Sequence, residues 1–354
     1  MAPRVRPEEK CAFLADPAHH PERPRTVEVL ETHFAWLFLT ERHVLKMKKA
    51  ARRGTMDYST LAARERNCRN ELELNRRLAP TVYLEVVPLS LDGDRLVLGP
   101  GREVVEWLVK MRRLPDERQL EHAIATGTVT AADLDDVMAL LADFYRTTRR
   151  MPLEPGAFRE RLREEAVTRA RELRAPDLEL PGDRVTALYD AQLAFLDDAA
   201  ALMVPRAARL VDGHGDLRPE HVFLGPDPCV IDCLEFDPEL RRLDPAEEIA
   251  YLALGCRRLG RADLAAALYA GYRSALGDAV PDALFHFYAS RRGAVAALLA
   301  AWHVRDPMYP DRRPWIERAS AALEQALDDA HAALAALEGA RASSLVASDG
   351  PALQ

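Results

Sequence analysis

One stretch constrains this chain more than any other, residues 211–236: Val-Asp-Gly-His-Gly-Asp-Leu-Arg-Pro-Glu-His-Val-Phe-Leu-Gly-Pro-Asp-Pro-Cys-Val-Ile-Asp-Cys-Leu-Glu-Phe. Two short apolar runs, 222–224 and 229–231, flank Gly225-Pro226-Asp227-Pro228. The permissive and fixed backbone angles of that cluster favour a tight reversal, so the stretch reads as a β-hairpin. A four-residue loop pairs Leu224 with Cys229, Phe223 with Val230 and Val222 with Ile231. His221 then stands opposite Asp232, with Cβ atoms roughly 5 Å apart. Just upstream, His214-Gly215-Asp216 adds an imidazole and a carboxylate, and the glycine between them lets the backbone turn sharply enough to aim them separately. A polar turn between two core strands has the same composition, so the rest of the chain has to decide.

With 354 residues, 48% of them hydrophobic and 29% charged, the chain is long enough for a large core. No run of about 18 apolar residues appears, so no membrane-spanning helix is expected. The first ten residues lack the apolar centre of a secretory signal, which makes the cytoplasm the expected compartment. The five cysteines, at 11, 68, 229, 233 and 256, are scattered without a Cys-x-x-Cys pair and read as reduced packing residues. A net charge of -8 argues against a broad nucleic-acid surface.

Residues 1–25 form an extension with one weak helical signal at 8–14. Residues 26–30, 35–40 and 43–48 read as strands, and the third, His-Val-Leu-Lys-Met-Lys, puts Lys46 and Lys48 on one face by the alternation of a sheet. A helix is expected over 61–78, with Pro80 as its stop. On it Glu71 shares an apolar stripe with Cys68, Leu74 and Leu78, whereas Glu73 points elsewhere. A carboxylate on such a stripe needs a partner. Strands at 83–91, 95–98 and 103–111 complete a small antiparallel sheet, after which the pattern turns helical at 131–148, 158–173 and 185–203. Asp244-Pro245-Ala246-Glu247 is a strong helix start, and helices are expected over 269–275, 283–303 and 316–337. Glu248 is expected to be structural, and Glu235 reads as a surface carboxylate or as one that reaches metal or substrate. Arg291 and Arg292 read either as a solvated face or as a clamp for an anionic acceptor. The end, 341–354, looks disordered.

His-Gly-Asp at 214–216, four residues and then His221, followed by two apolar residues and Asp232, resembles the catalytic loop and metal strand of the protein-kinase-like fold. The form is that of aminoglycoside phosphotransferases and choline-kinase-type small-molecule kinases. Leu78-Ala79-Pro80 with Tyr83-Leu84, and Val105-Glu106-Trp107 leading to 110–113, further resemble the kinase-like half of bacterial proteins that join such a domain to a P-loop ATPase. No G-x-x-x-x-G-K-[ST] occurs in this chain.

The resemblance implies an α+β, two-lobe fold, with a β-rich N-lobe at 26–108 and a helical C-lobe at 109–340. It implies Asp216 as the base orienting an acceptor hydroxyl, braced by His214, and Asp232 as the ligand of Mg2+ against the phosphates of ATP. Lys46, with Lys48 in reserve, would position the phosphates while paired to Glu71. Thr32 and nearby amides would stand in for the absent G-x-G-x-x-G loop, and 106–108, with Glu106 and Leu108, would be the adenine-binding hinge. Where the family has a metal-binding Asn this chain has His221, which either shifts preference toward Mn2+ or touches a phosphate oxygen itself. The expected function is ATP-dependent phosphorylation of a small-molecule hydroxyl, with no nucleic-acid or membrane partner. A non-catalytic nucleotide-binding module, or transfer of AMP, is the alternative. The acceptor and the oligomeric state stay open.

Overall fold

The computed structural model describes residues 5–306 and 308–348. In chain order the elements are α1 (Pro7–Ala15), β1 (Glu28–Glu31), β2 (Ala35–Leu39), β3 (His43–Lys48), β4 (Arg52–Arg53), β5 (Met56–Asp57), α2 (Leu61–Asn75), β6 (Tyr83–Asp92), β7 (Arg95–Leu98) and β8 (Glu103–Arg112). Helices α3 (Leu120–Thr126), α4 (Ala131–Thr147), α5 (Pro155–Leu173), α6 (Gly182–Asp198) and α7 (Ala200–Ala207) follow. Next come β9 (Val211–Asp212), β10 (Val222–Phe223), β11 (Cys229–Val230), α8 (Pro238–Arg241) and β12 (Arg242–Leu243). The chain closes with α9 (Pro245–Arg258), α10 (Ala262–Leu276), α11 (Asp282–Val304) and α12 (Arg313–Ser348). No described helix is long and apolar enough to cross a membrane.

Two compact units divide the chain: residues to Phe144 with His214–Asp216 and Glu220–Arg241, and Tyr145–Gly213 with Leu217–Pro219 and the chain from Arg242 on. The segment around Asp216 and Asp232 packs with the sheet unit. Long-range backbone bonds explain this. Val230 N–H donates to Leu78 O at 3.3 Å, Leu224 N–H to Arg118 O at 2.7 Å, and Cys233 N–H to Asn75 Oδ1 at 2.9 Å.

The sheet of the first unit is antiparallel with the order β1-β2-β3-β8-β6-β7, so β3 is an interior strand. Its alternation sends Leu45 and Met47 to one face, into a cluster with Phe38, Leu89, Leu108 and Leu14 of α1. The N-terminal extension thus covers a sheet face, and Lys10 of α1 reaches Glu106 at 2.8 Å with both side chains buried. The opposite face of β3 carries Val44, Lys46 and Lys48 toward α2. That helix starts at Thr60, whose hydroxyl accepts from Ala63 N–H at 3.1 Å. Cys68 and Glu71 are fully buried on its inner stripe, while Glu73 is exposed.

The hairpin exists, but its register differs by one residue from the expected one: Val222 pairs with Val230 and Phe223 with Cys229. Five residues, 224–228, therefore form the loop. Leu224 is drawn out of the ladder by Arg118, whose backbone oxygen takes its N–H and whose guanidinium donates to Leu224 O at 2.5 Å and Asp227 O at 2.9 Å. Ile231, not Asp232, faces His221, donating its N–H to His221 O at 3.0 Å.

In the second unit α5, α6, α11 and α12 share an apolar core that includes Leu173, Leu188, Ala297 and Leu323. Gly293 lies so close to α12 that an added Cβ would meet Ala326 Cβ at 2.8 Å. α9 begins as expected, with Asp244 accepting from Ala246 N–H at 3.0 Å and Pro245 in the first turn. Glu248 is buried and accepts the Tyr145 hydroxyl at 2.9 Å. α12 continues through residues 341–348, where a disordered tail was expected, and residues 349–354 of that tail lie outside the described residues.

Candidate active site

Every element that carries the candidate chemistry belongs to the first unit. Lys46 Nζ lies 2.8 Å from Glu71 Oε1 and 2.8 Å from Asp232 Oδ1, so the expected lysine–glutamate pair forms and the hairpin aspartate joins it. Lys48 takes the other oxygen of the same carboxylate, at 2.5 Å from Glu71 Oε2, and reaches Glu235 Oε1 at 2.5 Å. Glu235 also accepts the Tyr58 hydroxyl at 2.5 Å and is 8% exposed, which corrects its reading as a surface carboxylate. Two ammoniums alternate with three carboxylates in one chain, from half-exposed Asp232 through Lys46, Glu71 and Lys48 to buried Glu235.

The charges stabilise one another. Burial opposes ionisation of both lysines, yet Asp232 and Glu71 around Lys46, and Glu235 and Glu71 around Lys48, hold the two ammoniums well above their ordinary value. For the same reason Glu71 stays ionised below the usual carboxylate range despite its burial. Asp232 is held far below that range, with desolvation outweighed first by Lys46 and then by His221.

Asp232 sits at φ +63°, a left-handed conformation uncommon for a residue with a Cβ. Tyr83 helps to hold it, since its buried hydroxyl accepts Asp232 N–H at 3.1 Å. The kink turns the carboxylate out of the hairpin. His221 Nε2 is thus 3.6 Å from Asp232 Oδ2 although the two backbones are not paired. His221 Nδ1 donates to the Asp216 carbonyl at 2.8 Å and lies 3.7 Å from Asp216 Oδ2. Asp216, His221 and Asp232 therefore converge as expected, through side-chain reach and loop geometry in place of strand register.

His214 braces this loop. Its Nε2 bonds Ile231 O at 2.9 Å while Nδ1 accepts Asp216 N–H at 3.2 Å, which fixes a neutral ring with the proton on Nε2. Gly215, at φ +90°, lets the chain pass beneath Leu234, where a Cβ would come within 2.9 Å of Leu234 Cδ1. Burial first, and His221 next, lower the His214 pKa to about 4. The unfolded chain, with an ordinary histidine near 6.5, binds the extra proton between those two pH values, so stability falls as pH drops from about 6.5 to about 4. The full span is worth on the order of 3 kcal/mol. Urea titrations at pH 7 and pH 4.5 should show a loss that shrinks in His214→Gln; an equal loss in both proteins would rule out His214 as its source.

Three expected nucleotide contacts, Glu106, Leu108 and Thr32, lie where their bonds are committed within the sheet unit. Glu106 and Leu108 lie in the middle of β8, where Leu108 pairs with Met47 on one side and Val87 on the other, and Glu106 pairs with Leu89. Hinge backbone must be unpaired to meet a base, and Leu108 is committed to both neighbouring strands. The Glu106 carboxylate is likewise engaged, by Arg64 at 2.7 Å and Lys10 at 2.8 Å. Thr32 is also committed, its hydroxyl donating to Ala35 O at 3.0 Å and accepting from Ala35 N–H at 3.1 Å to close the β1–β2 turn.

Tyr58 and Tyr83 complete the site beyond what sequence reasoning assigned, and Lys48, held there in reserve, joins it with Glu235. Lys48 had a signal, the two-residue alternation with Lys46. Glu235 had a weak one, its position three residues after Asp232. The tyrosines had none.

An antiparallel sheet whose third strand carries a lysine paired to a helix glutamate, followed by a helical region, defines the protein-kinase-like fold. The choline/ethanolamine kinase family protein of Mesorhizobium loti shares it, with a TM-score of 0.53 and 15% identity over 93% of this chain and 98% of that one. No family model matches the chain. Uncharacterized proteins of Mycobacterium tuberculosis (strain H37Rv) and Mycobacterium bovis are 34% identical to it over 280 residues, 77% of this chain. The chain spans about half the length of these curated relatives, 54%.

Proposed function

We propose that this chain is an ATP-dependent phosphotransferase that moves the γ-phosphate of ATP to a hydroxyl group of a small molecule. The observation that carries the reading is Lys46 held 2.8 Å from both Glu71 and Asp232, with His221 linking Asp232 to Asp216 at 3.6 and 3.7 Å. The name of the Mesorhizobium loti structure, a choline/ethanolamine kinase family protein, points the same way.

The residues suit a magnesium nucleotide. Magnesium is commonly held by one or two carboxylates, with the substrate's phosphates and water completing its oxygen shell. Asp232, whose side chain is 47% exposed, offers such a carboxylate. Bound with ATP, the ion would neutralise charge on the phosphates. Lys46 would turn from Asp232 to a phosphate oxygen while Glu71 keeps it in place. Asp216 would accept the proton of the acceptor hydroxyl as its oxygen bonds to the γ-phosphorus and the bond to the β-phosphate oxygen breaks, releasing ADP. His221, with Nδ1 donating to Asp216 O, presents Nε2 toward Asp232 and the phosphates.

Calorimetric titration of ATP with and without magnesium tests the reading before any acceptor is known. Wild type is expected to bind in a metal-dependent manner, and Asp232→Asn to weaken that binding by at least about tenfold. Well-folded protein that ignores ATP under magnesium would instead favour a non-catalytic module.

A further inference from the structure

The arginines that sequence reasoning left between a solvated face and a clamp are buried in the second unit, Arg291 at 3% and Arg292 at 8% exposure. Helix α5 brings Arg161, Glu165 and Arg169 to the same place, spaced four apart on one face. Glu165 Oε2 accepts from Arg169 at 2.6 Å and from Arg291 Nη2 at 2.9 Å, and Glu247 Oε1 lies 2.9 Å from Arg292 Nε. Four guanidiniums thus meet two carboxylates, Glu165 and Glu247.

The carboxylates do not saturate the donors. Arg169 Nη1 and both Nε and Nη1 of Arg291 are buried without a hydrogen-bond partner, and so is the Tyr189 hydroxyl. Tyr189, buried on α6, feels the charge of both arginines. Burial first, with the facing Arg291 adding to it, lowers the Arg169 pKa despite Glu165, whereas Glu247 and Glu165 raise that of Arg291. Glu165, with a third of its side chain exposed, forms the rim toward solvent.

We propose that Arg169, Arg291 and Tyr189 line a binding site for a phosphate-type oxyanion. Arg169 Nη1 and Arg291 Nη1 each hold a charged N–H that no carboxylate takes, in a place that water scarcely reaches, and a tetrahedral oxyanion can accept one bond from each. Glu165 and Glu247 orient the two guanidiniums through their Nη2 atoms and leave those donors for the ligand. Neither the site nor its test depends on the phosphotransferase reading.

The probe is inorganic phosphate, titrated calorimetrically into the full chain without nucleotide, with chloride at matched ionic strength as the control. Phosphate is expected to bind wild type, to bind Arg169→Gln about tenfold more weakly, and to bind Lys46→Met as it does wild type. Arg291→Gln should lose binding more completely. If that variant does not fold, Arg169→Gln at the rim decides. A phosphate monoester such as glycerol phosphate, run in parallel, separates the sources: equal or tighter binding assigns the site to a phosphorylated small molecule, and exclusion assigns it to the free ion. Absence of binding to wild type, unchanged binding in Arg169→Gln, or loss in Lys46→Met overturns the proposal. The last outcome would place the ion at the lysine pair of the first unit.

Discussion

Exchanging Asp216 for asparagine is expected to lower phosphoryl transfer about 100- to 10,000-fold, the range for losing a positioned general base. ATP affinity should hardly move. The substitution keeps size and shape, and the loop's hold on this residue runs through its backbone: the N–H donates to His214 Nδ1 at 3.2 Å and the carbonyl accepts from His221 Nδ1 at 2.8 Å. What is lost is the negative carboxylate, both the proton acceptor and the charge 3.7 Å from His221 Nδ1. Single-turnover ADP formation across a panel of hydroxyl-bearing small molecules, set beside calorimetric ATP affinity, separates the two effects. Full turnover in the asparagine variant would mean that the proton goes elsewhere; loss of both turnover and ATP binding would mean a collapsed loop. His221→Asn is the companion, since amide oxygen in place of imidazole asks whether Nε2 matters to the phosphates or only Nδ1 matters to the loop.

What was legible in the sequence, and what was not, follows the range of the interactions involved. The alternation of β3 put Lys46 and Lys48 on one face, and the stripe on α2 singled out Glu71 over Glu73, because both patterns are local and periodic. Their pairing then follows from which face is buried. The strand over 103–111 was legible, but nothing local reports which strands flank it, so the hinge that the resemblance put at 106–108 falls inside a ten-residue strand paired on both sides. The hairpin register slipped for a similar reason, since the residue that captures Leu224 is Arg118, more than a hundred positions away. The role of α1 was equally hidden: its apolar pattern is weak, and what docks it is Leu14 in the core and Lys10 against Glu106. Arg291 and Arg292 looked like a solvated pair because adjacent arginines on a helix usually are, and their burial depends on Glu165 and Glu247 from two other helices. The site's chemistry was most readable where one short segment carries it, from His214 to Asp232.

Replacing Glu71 by glutamine should be the most destabilising change of charge in the first unit. Its carboxylate is fully buried and serves two ammoniums, Lys46 at 2.8 Å and Lys48 at 2.5 Å, which are themselves 18% and 2% exposed. Breaking a buried pair by removing one partner costs about 3–5 kcal/mol, because the remaining charge stays out of water. Here the lower end applies, about 3 kcal/mol, since Lys46 keeps Asp232 and Lys48 keeps Glu235. The pH dependence has a definite sign. The folded-state pKa of Glu71 is depressed, so its contribution is complete above the ordinary carboxylate value near 4.5 and is lost as pH falls through the folded value. Glu71→Gln should therefore be weaker than wild type at pH 7 and lose less on acidification. Without the shared carboxylate, the two ammoniums also face each other with less compensation. Lys48→Met is then expected to cost stability in the wild type but cost less, or restore some, in the Glu71→Gln background, a coupling that a double-mutant cycle in urea reads directly. Additive losses at the two sites, or a Glu71→Gln cost below about 1 kcal/mol, would mean that the lysines are solvated and that Glu71 does not organise the phosphate-facing side of the sheet.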